Sequence, residues 1–122
     1  MKIYLSHSGN YDYESELYAP LKSSDLSHTH QILFPHDKEN IDTNSQNLIA
    51  NVDLVLAEVS HPSTGQGIEL GWANAADTPI LCVYRTGSKI SSSLRFVATE
   101  FIEYADANDL LKKLEMWLQA KE

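Results

Sequence analysis

Short runs of apolar residues alternate along the chain with segments whose apolar residues recur at helical spacing. The runs at residues 53–59 and 79–84 show no alternation of polar and apolar positions, which is typical of strands covered on both faces of a sheet. Pro20 interrupts the first helical segment, and residues 42–44 are candidate caps of the second. The pattern predicts strands at 2–6, 31–34, 53–59, 79–84 and 100–104, and helices at 14–24, 45–52, 67–76 and 107–120.

Strands that alternate with helices pair in parallel through right-handed crossovers. We therefore predict a three-layer α/β sandwich of Rossmann or flavodoxin-like type, with five parallel strands in the order 2-1-3-4-5. A chain of 122 residues is expected to form one domain, residues 1–122. Ligands of such folds bind beyond the carboxyl ends of the strands, where the strand order reverses. The expected binding loops are residues 6–11 and 60–67.

The chain is acidic, with 9 basic and 17 acidic residues and a formal net charge of -8. Because it has no basic block, neither nucleic acid nor an anionic membrane surface is an expected partner. No apolar run approaches the about 20 residues that span a bilayer, and the start does not have the pattern of a signal peptide. Its one cysteine, Cys82, cannot form an internal disulfide, which fits the reducing cytoplasm as the expected location.

The segment after the third predicted strand combines hydroxyls, two glycines and an acid. Gly65 and Gly67 allow a ligand to approach the backbone, and the helix start offers N–H groups to an anion. Ser63 or Thr64 is suited to cap that helix or to bind the ligand. Glu69 would lie in the first helical turn, ionised and able to attack or electrostatically support an anomeric carbon. From the residues alone, a tight turn followed by a helix-stabilising acid stays open as the alternative.

Residues 53–85, DLVLAEVSHPSTGQGIELGWANAADTPILCVYR, resemble the core of the nucleoside 2-deoxyribosyltransferase superfamily. The string AEVSHPSTGQGIELG is the specific part, and it is most similar to the 2'-deoxynucleoside 5'-monophosphate N-hydrolases. The resemblance implies that the whole chain is one domain of this type and that Glu69 is the nucleophile. It also implies that Ser63, Gly65 and Gly67 contact the phosphate or the sugar.

The resemblance is looser outside this segment. Tyr4 matches a tyrosine in the family's first strand, where it would hydrogen-bond Glu69 or the sugar. A Ser/Gly-rich loop follows that strand in the family, which implies a role for Ser6 in binding the substrate or its phosphate. Ser92 or Ser93 matches a serine that reaches the phosphate in a neighbouring subunit's site. The resemblance therefore implies a homodimer with shared active sites.

Two departures from the family pattern bear on catalysis. The hydrolases have a Gly-Ser-Ile-Arg-Gly-like loop after the first strand, where this chain has Ser-His-Ser-Gly-Asn. They also have an aspartate about 24 positions before the nucleophile, thought to protonate or orient the leaving base. Counting back from Glu69 gives Ser45, and Asp42 would substitute only if the helix register shifted. The source of the leaving-group proton is therefore open.

The first hypothesis for function is hydrolysis of the N-glycosidic bond of a (2'-deoxy)nucleoside 5'-monophosphate, without a cofactor. The second is a nucleoside deoxyribosyltransferase, which exchanges one base for another. A catalytically silent nucleotide-binding module is a third, and the missing aspartate is its best support. A fourth is a TIR-like NAD glycohydrolase, based on the similarity of residues 3–8 to the opening strand of TIR domains.

Each histidine also has an ordinary structural interpretation, which stands against a role in catalysis or metal binding. His61 lies in the candidate loop, where it would either protonate the leaving base or be solvated. His7 follows the first strand with the same two alternatives, and His36 is expected in a surface loop. His28 and His30 would share a strand face, but a pair without a third ligand does not make a metal site, so no metal is predicted.

Overall fold

The computed structural model of the chain describes residues 1–37 and 44–122. Within these ranges, five strands form a parallel sheet in the order β2-β1-β3-β4-β5, which confirms the predicted fold class and strand order. The strands are β1 (Lys2–His7), β2 (Gln31–Leu33), β3 (Leu54–Glu58), β4 (Ile80–Arg85) and β5 (Glu100–Tyr104). The helices are α1 (Ala19–Lys22), α2 (Leu26–Thr29), α3 (Ser45–Ala50), α4 (Thr64–Ala75) and α5 (Ala107–Ala120), with a π-helical segment at Glu14–Tyr18 and a 3₁₀ segment at Ser92–Phe96.

Two hydrophobic cores sandwich the sheet. One packs the face of Ile3 and Leu5 against α1, α2 and α5, and the other packs the face of Tyr4 and Val55 against α3 and α4. Helices therefore cover both faces, which is why the central strands β3 and β4 appear in the sequence as continuous apolar runs. Since all strands run in parallel, their carboxyl ends meet at one edge, and the candidate loops after β1 and β3 lie side by side there.

Helix α4 begins three residues earlier than the predicted start at Gly67. Ser63 is extended, with φ -149°, and its side chain accepts a hydrogen bond from the backbone N–H of Gln66 at 3.4 Å, so it caps the helix at this point. Glu69 consequently lies in the second turn, and the expectation that it lies in the first turn is wrong. The helix dipole weakens beyond the first turn, so it acts only weakly on the Glu69 carboxylate.

One other local prediction is corrected, and the cap of α3 is one of the predicted candidates. The chain turns into the short helix α2 before β2, so His28 is helical and does not share a strand face with His30. The His30 Nδ1 atom instead lies 3.1 Å from the N-terminal amine of Met1. The cap of α3 is Asn44, whose side chain accepts from the N–H of Gln46 at 3.0 Å. The other candidate caps, Asp42 and Thr43, lie outside the described residues.

Candidate active site

Glu69 lies against the face of β1 that α4 covers, and two hydroxyls of that strand hold its carboxylate. Tyr4 and Ser6 are two positions apart in the strand, so they point to the same face. The Tyr4 hydroxyl donates to Oε2 of Glu69, and the Ser6 hydroxyl donates to Oε1 at 2.9 Å. Both strand residues are fully buried, whereas Glu69 is partly exposed. Both carboxylate oxygens are thus oriented by hydroxyl donors, and the group remains accessible at the carboxyl edge of the sheet.

Tyr4 acts on this carboxylate as a donor. Burial first, and then the hydrogen bond to Glu69 and its charge, raise the pKa of the Tyr4 hydroxyl far above its ordinary value. The group therefore stays protonated and cannot serve as a base near neutral pH. Ser45, the first residue of α3, is near enough to the Tyr4 hydroxyl to interact with it, and this interaction opposes the shift. Ser45, which occupies the position of the expected aspartate, is therefore separated from Glu69 by the Tyr4 side chain.

The structure gives Ser6 a different environment from the one the resemblance implies. Its side chain is fully buried, and its hydroxyl is engaged with Glu69 rather than directed at an open loop. In this structure the Ser6 hydroxyl orients the carboxylate, and its expected contact with substrate or phosphate stays a prediction.

Gln66 joins α4 to the ends of β1 and β3, a role that sequence analysis missed. It is buried, and its side-chain amide donates to the carbonyl of Ser6 at 3.2 Å and to that of Glu58 at 2.7 Å. A polar residue in the first turn of an amphipathic helix usually faces water, so no periodicity signal marks it. These two bonds fix α4, and with it Glu69, relative to β1 and β3.

The first N–H groups of α4 remain available as hydrogen-bond donors. The N–H groups of Gln66 and Gly67 bond Ser63, at its side chain and its carbonyl respectively. Among the described residues, the N–H groups of Thr64 and Gly65 have no such partner. Helix N-termini of this kind bind anions, because the orphan N–H groups and the helix dipole both favour negative charge. The N–H of Gly67, in contrast, is already used inside the helix.

A cavity of about 500 Å³ lies between α4 and the 3₁₀ segment. Ser63 and Gly67 line it from α4, and Ser91 and Ser93 line it from the other side. Ser92 is not among its lining residues. The structure therefore brings Ser93 and Ser63 of the same chain to one cavity, whereas Glu69 lies on the opposite side of α4 against β1.

A cluster of aromatic and imidazole rings surrounds the loop after β1, and sequence reasoning missed it. Burial lowers the pKa of His7 to about 4, so this histidine is neutral near pH 7. Its Nδ1–H donates to the carbonyl of Ser8 at 2.8 Å, and its Nε2 accepts from the Tyr18 hydroxyl at 2.7 Å. Tyr13 and His36 flank the His7 ring, with centroid distances of 4.6 Å and 4.8 Å.

Two further residues at this edge have structural partners. His61 stacks on Tyr11 with ring centroids 4.3 Å apart, which closes the loop after β3 onto the loop after β1. Glu58 is buried at the end of β3, where it accepts hydrogen bonds from Tyr104 and from both the N–H and the hydroxyl of Ser60. This second carboxyl is on the other face of the sheet from Glu69 and is tied into the fold.

Neither a metal centre nor a membrane span was found in the part of the chain that the structure describes. In residues 1–37 and 44–122, no three side chains of His, Cys, Asp or Glu come together as possible metal ligands. No helix in these ranges has the length and apolar character needed to cross a bilayer.

Comparison with known proteins gives relatives of one kind. No family model matches the chain. It is 44% identical over 54 residues to the 5-hydroxymethyl-dUMP N-hydrolase of Rattus norvegicus, covering 43% of this chain and 33% of the rat protein. It is 32% identical over 74 residues to a Trichoplax adhaerens protein provisionally named 2'-deoxynucleoside 5'-phosphate N-hydrolase 1, covering 57% and 51% of the two chains. The chain therefore spans about half or less of the length of these relatives.

A solved structure supports the fold over the full length. The CMP N-glycosidase BcmB of Clostridium botulinum superposes with a TM-score of 0.71 and 19% identity, covering 96% of this chain and 99% of that one. At this identity the likeness concerns the fold. The sequence relatives confirm the resemblance to the 2'-deoxynucleoside 5'-phosphate N-hydrolases, and the solved structure agrees with it in fold.

Proposed function

We propose that the protein hydrolyses the N-glycosidic bond of a nucleoside 5'-monophosphate, preferentially a 2'-deoxy one, and releases the free base and the sugar phosphate. The observation that carries the proposal is the carboxylate of Glu69, held by Tyr4 and Ser6 at the edge where ligands of this fold bind. The relatives named N-hydrolases support the same reaction. A carboxylate with both oxygens oriented and one side accessible is suited to attack a sugar carbon.

The proposed reaction has two steps, as in glycosidases that use a carboxylate nucleophile. An oxygen of Glu69 bonds to C1' while the C1'–N bond breaks, and the bonding electron pair leaves with the base, which takes up a proton. Water then attacks C1' of the ester, which releases the sugar phosphate and regenerates the carboxylate. Tyr4 and Ser6 keep their hydrogen bonds to Glu69 throughout and limit its motion between the two steps.

The phosphate is proposed to bind at the start of α4, through Ser63 and the N–H of Gly65. A Cβ at Gly65 or at Gly67 would meet no atom within 4 Å, so packing against the rest of the protein does not require glycine. Glycine within a helix costs about 0.5–1 kcal/mol relative to alanine. A ligand that approaches the backbone would explain the two glycines. Gly65→Ala is therefore expected to keep the fold and to raise KM for a monophosphate.

The decisive experiment is a panel of deoxy- and ribonucleoside 5'-monophosphates and free nucleosides, assayed for free base by chromatography. The wild-type protein should release base from at least one monophosphate. Glu69→Ala and Glu69→Gln should lose nearly all turnover while keeping their melting temperature. Glu115→Gln, on the exposed side of α5, is the matched control and should behave as the wild type. Turnover by Glu69→Ala at the wild-type rate would refute the mechanism.

The same assay separates hydrolysis from base exchange. With a second free base added, a transferase forms a new nucleoside or nucleotide, whereas the proposed hydrolase forms sugar phosphate only. Binding of a monophosphate in calorimetry without release of base would support the silent binding module instead.

A homodimer in which Ser92 or Ser93 completes the partner's phosphate site is part of the proposal. The test is to mix Glu69→Ala with Ser93→Ala, each nearly inactive alone. If Ser93 acts across the interface, the mixed dimer contains one site with both groups and recovers part of the activity. Because Ser93 and Ser63 line one cavity within a chain, lack of recovery by a mixed dimer would assign Ser93 to its own subunit's site.

A reducing location, the cytoplasm, is also proposed. Cys82 is a buried free thiol in β4, and burial raises its pKa to about 12, so it stays in the inert thiol form.

A further inference from the structure

The proposed reaction needs a proton for the leaving base, and the groups on Glu69 do not supply one. Its two described hydrogen-bond donors are hydroxyls, those of Tyr4 and Ser6. The pKa of Tyr4 is raised well above its ordinary value, so releasing its proton is more difficult than usual. The aliphatic hydroxyl of Ser6 is also a very weak acid. The proton must therefore come from a different part of the edge.

The sheet order indicates on which side the base lies. Glu69 contacts β1, and the start of α4, where the phosphate is proposed to bind, follows β3 on one side of β1. In a nucleotide, the base and the 5'-phosphate project from opposite ends of the sugar. With C1' at Glu69, the base extends towards the other neighbour of β1, which is β2. His36 follows β2 at this edge.

His36 is an exposed histidine whose ring is fixed by its neighbours. Its Nδ1 lies 3.1 Å from the Tyr13 hydroxyl, and its backbone N–H donates to the Tyr18 hydroxyl at 3.1 Å. The Tyr13 and His36 rings meet edge to face with centroids 5.0 Å apart. Tyr18 also hydrogen-bonds Nε2 of His7 at 2.7 Å, so the cluster is anchored to the carboxyl end of β1, the strand that holds Glu69 through Tyr4 and Ser6.

The charges of the cluster favour His36 as the proton carrier. Four titratable neighbours surround it: His7 from β1, Tyr13 and Tyr18 from the loop and the π-helical segment, and Asp37 next to it, which pairs with Lys22 at 2.9 Å. His7 is buried and neutral, and the charge of His36 further disfavours a proton on it. His36, in contrast, is the solvent-exposed ring of this pair.

We propose that His36 is the general acid that protonates the leaving base, an inference that rests on the proposed hydrolysis. As the C1'–N bond breaks, its electron pair goes to the base nitrogen, which takes the proton from Nε2 of the His36 imidazolium. Nδ1 stays with the Tyr13 hydroxyl and keeps the ring oriented. The neutral imidazole then takes a proton from the water that attacks the Glu69 ester, so the cycle ends with imidazolium and carboxylate restored.

The test compares a nucleotide with a substrate whose leaving group needs no proton. The nucleotide is the best substrate of the panel. The second compound is 4-nitrophenyl 2-deoxyribofuranoside 5-phosphate, whose leaving group departs as the stable nitrophenolate. His36→Ala and His36→Gln should lower kcat on the nucleotide by about 10²-fold or more, the usual size of general-acid catalysis. On the nitrophenyl compound they should stay within about 3-fold of the wild type, because that leaving group needs no general acid.

Three comparisons keep the result interpretable. His28→Gln, an exposed histidine of α2, is the matched control and should leave both rates unchanged. Glu69→Gln should abolish both reactions, because both need the nucleophile. If the proposed function itself is wrong, the wild-type protein will be inactive on both compounds. Tyr13→Phe should reduce the nucleotide rate alone, by less than His36→Ala, since the ring stays but its hydrogen bond is lost.

Equal losses on both compounds, or no loss on either, would overturn the assignment of His36. A selective loss in His61→Gln instead of His36→Gln would overturn it as well and would move the acid to the side of β3, where His61 stacks on Tyr11. His36→Gln retains a polar side chain of similar length at an exposed position, so it keeps the test valid if the alanine variant does not fold.

Discussion

The Tyr4 hydroxyl donates a hydrogen bond to the Glu69 carboxylate across 65 positions of the sequence. The contact exists because β1 and β3 are neighbours in the sheet and α4 returns over the face of β1 that carries Tyr4 and Ser6. Gln66 fixes the position of α4 over β1, because its side-chain amide donates to the carbonyls of Ser6 and Glu58 at the ends of β1 and β3. The position of the candidate nucleophile is therefore a property of the sheet edge.

Removing the Tyr4 hydroxyl should impair turnover more than stability. Tyr4→Phe leaves Oε2 of Glu69 without this donor and lets the carboxylate rotate away from the attacking geometry. We expect kcat to fall by about 10- to 100-fold, in the range of losses from misplaced catalytic groups. Steady-state kinetics on the best nucleotide of the panel measure the change.

The double variant Tyr4→Phe/Ser6→Ala provides the control for this prediction. Because both hydroxyls act on one carboxylate, their effects should not be additive. Additive losses, or an increase of KM without a fall of kcat, would indicate that the two hydroxyls contact the substrate instead of orienting Glu69.

Ser45 offers a gain-of-function test. It interacts with the Tyr4 hydroxyl, so Ser45→Asp would place a carboxyl near the catalytic group at the position where the resembling hydrolases have one. An acidic residue at the start of α3 also favours the helix. In a His36→Ala background we expect Ser45→Asp to restore about 10-fold of the lost kcat by providing a new acid.

The matched variant Ser45→Asn has a side chain of the same shape that cannot release a proton. Equal recovery by Ser45→Asn and Ser45→Asp would show that hydrogen bonding to Tyr4, and not proton transfer, accounts for the effect.

The sequence predicted the elements and the sheet order because the strands are continuous apolar runs and the helices carry periodic ones. It placed Glu69 near the first strand only through the resemblance, since no local pattern relates residue 69 to residue 4. The start of α4 was misplaced because the cap depends on the extended backbone of Ser63. The cluster around His36 was missed because its rings come from β1, from the loop and π-helical segment after it, and from the segment after β2, which meet only in the folded chain.

Glu58 should contribute to stability rather than to turnover. It is buried and accepts hydrogen bonds from Tyr104 and Ser60, so Glu58→Ala leaves these buried donors without an acceptor and opens a cavity. We expect the free energy of unfolding to fall by about 3 kcal/mol. The activity of the protein that remains folded should stay within about 3-fold of the wild type, since Glu58 faces away from the proposed chemistry. Urea denaturation and kinetics on one preparation test both parts, and a stable but inactive Glu58→Ala would assign this carboxyl to catalysis.

His7 makes the stability of the fold dependent on pH. A histidine in the unfolded chain has a pKa of about 6.5, whereas burial lowers that of folded His7 to about 4. Between these values the unfolded chain binds a proton that the folded chain does not, so the stabilisation is complete above about pH 6.5 and is lost as the pH falls towards 4. The full loss is about 3 kcal/mol.

His7→Asn should remove this dependence, because asparagine does not titrate. Urea denaturation at pH 7 and at pH 4.5 would then show a smaller difference in unfolding free energy for His7→Asn than for the wild type. His28→Asn, on the exposed surface of α2, should keep the wild-type difference. His30, whose pKa burial also lowers, acts in the same direction in all three proteins and cancels in the comparison. An unchanged difference in His7→Asn would mean that His7 takes up its proton without unfolding, with the bond from Tyr18 to Nε2 reversed or broken.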